Sequence, residues 1–321
     1  MKTRRLPGTD LDISVVGMGC WAIGGMWWGD DVDDSTSTRA IHAALDSGIN
    51  WFDTAPLYGF GRADRVLRDA LKGRSERAII ATKVGVRWQE GSDHAQSDLD
   101  PVHVVQDTEA SLQRLKVDCI DLLQVHWPCE NNTPLPETLD ALDRLRDQGK
   151  IRWYGLCNYE SHDIQAASSR PGMVSLQTPY SLLRRELEGE LRASCMDAVP
   201  AVGILAYEPL CRGLLTGKFK SMPSFPDSDL RAWDDRFQGQ RFQHALALVR
   251  DLEKVSERVD IPVSALAIGW VLSQDGLTSA IVGAKNPHQV KQNAKGGLLI
   301  DRPKVCSVID RIAALHGGWP R

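Results

Sequence analysis

The chain has 321 residues, with 38 Lys and Arg against 42 Asp and Glu and a hydrophobic fraction of 42%. These proportions are typical of a folded globular protein and exclude a disordered or fibrous one. The slightly acidic balance argues against a nucleic-acid-binding protein, whose domains are usually basic. No apolar run approaches the roughly 20 residues of a membrane span, and the N-terminus lacks the apolar core of a signal peptide. We therefore expect a cytoplasmic protein that binds neither nucleic acid nor a membrane.

The seven cysteines form no C-x-x-C pair, which gives no support to a zinc or thioredoxin-like site. Free thiols in a reducing cytoplasm explain them best, and we expect no metal. Ten tryptophans against five tyrosines is an unusual balance, because Trp usually either buries area in a core or presents a flat face to a ligand. Composition leaves these two uses open.

Short apolar runs alternate with helical patterns along the whole chain. The runs that predict strands lie at residues 15–21, 50–54, 78–83, 120–126, 151–157, 174–177, 202–207 and 278–282. Apolar residues at helical spacing follow each of them, around residues 40–45, 66–71, 105–115, 139–145, 164–167, 187–199 and 242–259, and from residue 287. Strands that are almost wholly apolar are covered on both faces, as parallel strands are.

Eight such units predict an α/β fold, a (β/α)₈ TIM barrel that uses residues 1–321 as one domain, with its active site at the C-terminal ends of the strands. A doubly wound open sheet is the alternative. Residues 213–239 form an irregular stretch that is longer than a normal connection. Such a stretch is typical of a lid or binding loop, here near the cofactor and substrate, or of a disordered segment.

Four residues of complementary chemistry lie at or near the ends of adjacent predicted strands. Asp53 ends the second strand and Tyr58 follows it, while Lys83 ends the third strand and His126 the fourth. Taken singly, the aspartate suits a helix cap, the tyrosine a packed loop and the histidine a core position. Lys83 is harder to explain in this way, since a buried lysine is uncommon without a partner. Together the four predict a catalytic group at the barrel mouth.

The chemistry that suits these four groups is proton transfer to a carbonyl oxygen. A tyrosine has a pKa of about 10 and is a poor acid at neutral pH. A neighbouring ammonium lowers the pKa of the phenol, and a carboxylate keeps the ammonium charged and in place. A histidine beside the phenol can donate to the substrate oxygen and orient it. None of these groups supplies electrons, so a hydride donor must come from a cofactor.

The stretches around these residues resemble the aldo-keto reductase family. The matching stretches lie in order at residues 16–21, 52–59, 81–83, 123–128, 155–159, 176–183 and 206–210. Residues 211–218, CRGLLTGK, look most like the bacterial branch that includes general-stress and inositol-related reductases. The resemblance implies a barrel that binds NADP(H), with Tyr58 as general acid supported by Asp53, Lys83 and His126.

The resemblance also implies a set of cofactor-binding positions. Tyr207 would stack on the nicotinamide, Asn158 and Gln177 would hold its carboxamide, the loop around Gly213 would cover the pyrophosphate, and residues 283–293 would hold the adenosine end. The full set is Gly19, Trp21, Asp53, Asn158, Gln177, Tyr207, Pro209, Leu210, Arg212, Gly213, Leu214, Lys218, Gly283, Ala284, Lys285, Gln289, Gln292 and Asn293. A phosphate next to the last strand would also meet the N-terminus of the following helix, where unpaired N–H groups favour anions.

Gln289 departs from the family pattern, because many NADP-preferring members carry an arginine at this position. Lys285 or Arg212 could supply the missing charge, although a lysine is a point charge rather than a planar fork. NADP(H) is therefore the expected cofactor and NAD(H) the alternative. A Rossmann site is not supported, since neither Gly17-Met18-Gly19 nor Gly59-Phe60-Gly61 completes G-x-G-x-x-G. Tight turns at the barrel mouth explain these glycines.

Half of the tryptophans fall just after predicted strands, where a barrel binds its ligand. Core packing is the alternative for each one. The expected substrate contacts are Trp21, Trp27, Trp28, Tyr58, Trp88, His126 and Trp127. Such an aromatic wall suits aldehydes with flat or aliphatic bodies, and it would also stack on a sugar ring.

We therefore predict an NADPH-dependent oxidoreductase that reduces aldehydes or ketones to alcohols, as a monomer or a homo-oligomer. One alternative is a barrel aldolase in which Lys83 forms a Schiff base with its substrate. A second is a nucleotide-sensing subunit without turnover, like the reductase-fold subunits of potassium channels. Borohydride trapping of an adduct would indicate the first, and tight cofactor binding without turnover the second.

Overall fold

The computed structural model describes residues 1–29, 32–74, 78–88, 95–130 and 132–319. Its strands are β1 (Thr3–Arg5), β2 (Asp12–Ser14), β3 (Val16–Gly19), β4 (Trp51–Asp53), β5 (Ile79–Val84), β6 (Val86–Trp88), β7 (Ala95–Ser97), β8 (Ile120–Val125), β9 (Ile151–Cys157), β10 (Met173–Pro179), β11 (Gly203–Tyr207) and β12 (Leu277–Gly283). Its helices are α1 (Trp21–Gly24), α2 (Asp34–Asp46), α3 (Arg62–Ala70), α4 (Pro101–Leu115), α5 (Leu135–Asp147), α6 (Ser161–Ala167), α7 (Glu190–Asp197), α8 (Gly239–Val259), α9 (Val263–Leu272), α10 (Pro287–Ala294) and α11 (Pro303–His316).

Eight parallel strands close into a barrel in the order β3-β4-β5-β8-β9-β10-β11-β12, and β12 pairs back onto β3. Helices follow each strand and cover the outside, which explains why the strands are apolar on both faces. The predicted (β/α)₈ barrel is confirmed and the doubly wound sheet is excluded. The carboxyl ends of all eight strands meet at one mouth.

The opposite end of the barrel is closed by the antiparallel hairpin β1-β2, whose strands are too short to show a clear sequence pattern. Leu6, Leu11 and Ile13 from this hairpin pack with Trp51 in one buried cluster. The Trp51 ring covers Gly17, where a Cβ would lie 2.2 Å from the ring. Gly17 is thus required by close packing within β3, and its interpretation as a glycine of a tight turn at the barrel mouth was wrong.

Helix α9 was not predicted from the sequence, because all ten of its residues are buried. A helix that is covered on every side has no apolar stripe, and its sequence shows no helical period. In the described part of the chain no helix, α9 included, is both long enough and apolar enough to cross a membrane.

The long stretch after β11 is folded across the mouth. It contains 3₁₀ turns at Leu230–Ala232 and Asp235–Phe237. The Leu230 amide donates to the Trp27 carbonyl oxygen at 2.9 Å, and Trp28 pairs with Asp229 as an isolated β-bridge. These main-chain contacts connect the loops after β3 and β11 above the barrel.

Candidate active site

A buried ion pair joins the ends of β4 and β5. The Lys83 ammonium donates to Asp53 Oδ2 at 2.7 Å and to the Thr54 carbonyl oxygen at 3.0 Å. Only 1% of the lysine side chain and 4% of the aspartate side chain are exposed. The Tyr58 ring centroid lies 4.9 Å from Lys83 Nζ, so the phenol is next to a fixed positive charge.

His126 completes the group from the end of β8. Its amide donates to the Val84 carbonyl oxygen at 3.1 Å, which ties it to β5. Its ring meets the Tyr58 ring edge-on, with 6.0 Å between centroids. The structure therefore brings the four side chains predicted from the sequence together at one mouth of the barrel.

Burial controls the protonation of this group. Burial raises the pKa of Tyr58 above its ordinary value, and the Lys83 ammonium opposes this without reversing it. The lowering of the phenol pKa that the residue types predict is thus outweighed by desolvation. Burial also disfavours a charge on Lys83, but the Asp53 carboxylate, together with smaller contributions from Tyr58 and Cys157, holds the pKa of the lysine above its usual range. Burial and then Lys83 push the pKa of His126 well below its usual value, so this imidazole is neutral.

Two amide side chains make contacts that the sequence does not predict. Gln177 Nε2 donates to Asp53 Oδ1 at 2.9 Å, so both carboxylate oxygens have a partner. Asn158 Oδ1 accepts from the Tyr207 hydroxyl at 2.8 Å, while its Nδ2 donates to the His126 carbonyl oxygen at 3.2 Å. These amides are therefore oriented by protein contacts, with Asp53 for Gln177 and with Tyr207 and His126 for Asn158.

The mouth opens into a cavity of about 910 Å³. Of the residues predicted from the sequence, those that line it are Gly19, Trp21, Trp27, Trp28, Asp53, Tyr58, His126, Trp127, Asn158, Gln177, Tyr207, Pro209, Leu210, Arg212, Gly213, Lys218, Gly283, Ala284, Lys285, Gln289, Gln292 and Asn293. Lys83 lies behind this wall, bound to Asp53.

Leu214 and Trp88 do not line this cavity. Leu214 is buried in the main hydrophobic core, because its turn carries the side chain inward. Trp88 ends β6 and stacks on Phe60, with 6.1 Å between ring centroids. A position after a strand end was therefore not enough to place Trp88 at the cavity.

Aromatic side chains form the wall next to Tyr58. Trp21 stacks on Tyr58 at 6.2 Å between centroids and meets Trp28 edge-on at 5.3 Å, while Trp127 stacks on His126 at 4.7 Å. Trp28 Nε1 is buried without a hydrogen-bond partner among the described residues. Part of the tryptophan excess thus faces the cavity.

The far end of the cavity is cationic. Lys218, Arg231 and Lys285 line it, and Asp229 there is bound by Arg231 Nε at 2.8 Å. Lys218 is partly exposed, and its partial burial, followed by the charges of Arg231 and Lys285, lowers its pKa to about 8. The Lys285 ammonium donates to the Trp28 carbonyl oxygen at 2.6 Å. Together, Lys218, Arg231 and Lys285 favour a bound anion in this part of the cavity.

This donor set fits an extended dinucleotide. The amide side chains of Asn158 and Gln177 contact His126 and Asp53 next to Tyr58, while Lys218, Arg231 and Lys285 line the cationic part of the wall. Gly213 has a φ of +98°, and a Cβ there would lie 3.1 Å from Lys218 Nζ, so this close turn needs glycine.

Other lining residues had no signal in the sequence. Arg231 lies in the irregular loop, and Ser264 belongs to the unpredicted helix α9 and has a buried hydroxyl without a partner in the described chain.

Arg212 was a candidate for the missing phosphate contact. It donates to Glu208 Oε1 at 2.8 Å and Asp234 Oδ2 at 2.9 Å and lies 5.6 Å from the Trp21 ring. Arg212 is therefore held by two carboxylates, both of which it shares with Arg236.

Comparison with known proteins agrees with this fold and geometry. The model of the aldo/keto reductase family matches residues 15–311. Over 296 residues the chain is 38% identical to aldo-keto reductase YhdN of Bacillus subtilis, covering 91% of this chain and 87% of that protein. It is 32% identical over 305 residues to the NADH-specific methylglyoxal reductase of Escherichia coli, covering 91% and 92%.

The barrel also matches a solved structure along its whole length. The glycerol dehydrogenase of Gluconobacter oxydans superimposes with a TM-score of 0.89 at 36% sequence identity, covering 100% of this chain and 97% of that one. The chain therefore belongs to the aldo/keto reductase family, oxidoreductases that act on small carbonyl substrates with a nicotinamide cofactor.

Proposed function

We propose that this protein reduces aldehydes or ketones to alcohols with NADPH and that Tyr58 donates the proton. The observation that carries the proposal is the buried Lys83–Asp53 pair behind Tyr58, at the wall of a cavity whose far end is cationic. The reduced nicotinamide supplies the hydride when it is bound. The side chains of this protein carry out the proton transfer.

Tyr58 is suited to donate a proton at neutral pH. Its raised pKa keeps the phenol protonated before the reaction. Transfer of the proton to the substrate oxygen leaves a phenolate, whose charge the Lys83 ammonium stabilises. Asp53 holds that ammonium charged and in place. The stabilisation is therefore larger after proton transfer than before it, as catalysis requires.

His126 is suited to position the carbonyl oxygen. Its imidazole is neutral and lies against the Tyr58 ring, so it can donate a hydrogen bond without competing for the proton. We propose that the substrate oxygen binds between His126 and Tyr58, with Trp21, Trp28 and Trp127 around the rest of the molecule. This wall suits aromatic or aliphatic aldehydes and the flat face of a sugar.

The residues that would hold the cofactor divide along the cavity. Asn158 and Gln177 would bind the carboxamide and Tyr207 would stack on the nicotinamide. Lys218 and Arg231 would face the phosphates, with residues 283–293 around the adenosine.

NADPH is proposed over NADH because it carries one phosphate more and three cations, Lys218, Arg231 and Lys285, line this part of the cavity. Gln289 does not supply the arginine of many family members; its Oε1 accepts from the Lys285 amide at 2.7 Å. Because the Escherichia coli relative is NADH-specific, turnover must be compared with both cofactors.

The proposal is tested by replacing Tyr58 with Phe. We expect Tyr58→Phe to lower kcat by about 10²-fold or more, the range of general acid catalysis, while the cofactor Kd measured by Trp fluorescence changes little. Tyr154→Phe is the matched control, since Tyr154 is buried but its hydroxyl donates to Asp143, away from the cavity. Retained turnover in Tyr58→Phe would refute the mechanism.

The substrate assay should include aromatic aldehydes, short aliphatic aldehydes, methylglyoxal and aldoses with NADPH and NADH. The reverse reaction, oxidation of glycerol with NADP⁺, is the second candidate, because the matched Gluconobacter oxydans structure is a glycerol dehydrogenase. We also propose a reducing compartment such as the cytoplasm, in keeping with the buried free thiols of Cys20, Cys157, Cys195, Cys211 and Cys306.

A further inference from the structure

A chain of buried hydrogen bonds leads from Lys83 to the outside of the barrel. The Thr54 carbonyl oxygen accepts from the Lys83 ammonium at 3.0 Å. The hydroxyl of the same threonine donates to Asp64 Oδ1 at 2.7 Å. Thr54 and Asp64 are both 0% exposed. Thr54 thus binds the Lys83 ammonium through its main chain and is itself bound to Asp64 through its side chain.

Asp64 belongs to α3 and is bound from α4. Arg114 Nε donates to Asp64 Oδ2 at 3.0 Å, and Arg114 also donates to Ser111 Oγ at 2.7 Å. Each oxygen of the Asp64 carboxylate therefore has one strong partner. Helices α3 and α4 follow β4 and β5, the strands that carry Asp53 and Lys83. The Asp64–Arg114 ion pair therefore connects the two strand–helix units that supply Asp53 and Lys83.

Stability alone does not explain this arrangement. A buried ion pair recovers little more than its desolvation cost, and apolar residues of the same shape often serve the core as well or better. Buried polar networks can instead specify one arrangement of the groups they contact. The group contacted here is the ammonium beside Tyr58.

The ammonium has three N–H donors and no acceptor. Asp53 and the Thr54 carbonyl oxygen take two of them. Two fixed acceptors leave one direction for the third N–H, and the Tyr58 ring centroid lies 4.9 Å from the nitrogen. A shift of the Thr54 carbonyl would therefore turn the ammonium relative to the phenol.

We propose that Asp64 and Arg114 are positioning residues, which hold Thr54 so that the Lys83 ammonium is directed at Tyr58. This inference rests on the proposed role of Tyr58 and Lys83 in proton transfer. Thr54 does not line the cavity, so loss of its hydroxyl should leave cofactor binding intact. The inference predicts that this loss nevertheless impairs the chemical step.

The test compares Thr54→Val, which removes the hydroxyl at constant shape, with Thr54→Ser, which keeps it. Thr82→Val is the matched control, because Thr82 lies on β5 next to Lys83 and its buried hydroxyl has no partner among the described residues. For each variant we would measure kcat, KM and the pH profile of kcat, together with the cofactor Kd by Trp fluorescence and the melting temperature.

We expect Thr54→Val to lower kcat about tenfold or more and to shift the pH profile, since small misplacements of reacting groups have large effects on rate. The cofactor Kd should stay within about twofold, and Thr54→Ser and Thr82→Val should behave like the unchanged protein. Asp64→Asn should reproduce the loss of kcat, since the amide weakens the Arg114 contact.

A Thr54→Val variant with kcat within twofold of the unchanged protein would overturn the inference. So would equal losses in Thr54→Val and Thr82→Val, or a lower melting temperature with an unchanged pH profile. These outcomes are distinct from failure of the proposed function, which is indicated by retained turnover in Tyr58→Phe.

Discussion

Replacing Lys83 with Met should separate the stability of the site from its chemistry. The lysine and Asp53 side chains are only 1% and 4% exposed, so the change leaves a buried carboxylate without its cation. Loss of one partner of a buried pair typically costs about 3–5 kcal/mol. The Thr54 carbonyl oxygen also loses a donor. We expect the free energy of unfolding to fall by a value in this range and kcat to fall by orders of magnitude.

The double variant Lys83→Met/Asp53→Asn gives the decisive comparison. It removes both charges, and Asn can still accept from Gln177 Nε2. Urea unfolding should show that the second change restores much of the lost stability, because a buried pair replaced as a unit is often nearly neutral. Turnover should remain absent, since no ammonium stabilises the Tyr58 phenolate. A loss below about 1 kcal/mol in Lys83→Met, or an active double variant, would refute the reasoning.

Two further predictions follow from single residues. Lys218→Met should raise the NADPH Kd about tenfold with little change in kcat. In the unchanged protein, the NADPH Kd should rise as the pH increases past the Lys218 pKa of about 8, because the ammonium loses its charge. Fluorescence titration with NADPH at pH 7 and pH 9 measures both effects. Burial raises the pKa of Asp107 to about 6, so above that pH the charged carboxylate destabilises the folded state. Asp107→Asn should therefore raise the free energy of unfolding by about 1–3 kcal/mol at pH 8, and this gain should vanish near pH 4. Urea unfolding at the two pH values tests this sign, and a gain that is equal at both would contradict it.

The parts of the site that the sequence predicts are those fixed by strand direction. Asp53, Lys83 and His126 end strands that alternate with helices, and the carboxyl ends of parallel strands meet at one mouth. Their proximity therefore follows from the strand pattern and needs no knowledge of packing. The fold was predicted for the same reason, since only the order of strands and helices is required.

The parts that the sequence does not predict depend on packing between elements. The bond from Thr54 to Asp64 crosses from β4 to α3, and that from Arg114 crosses from α4. No period or motif connects such residues. The pKa of Tyr58 is a second example, because its direction is decided by burial, and burial is a property of the assembled barrel. Arg231 is a third, since only the folded loop brings it to the cavity.

From the charge distribution along the cavity we also propose the direction in which a dinucleotide binds. At the end with Tyr58, the Lys83 charge is balanced by Asp53 and the imidazole of His126 is neutral. At the other end, Lys218, Arg231 and Lys285 line the wall. A ligand with phosphates at its middle and one end is therefore drawn with its uncharged end toward Tyr58. If this orientation is set by charge, added salt should weaken cofactor binding, and Lys218→Met should reduce that salt dependence, because exposed charges are screened by ions.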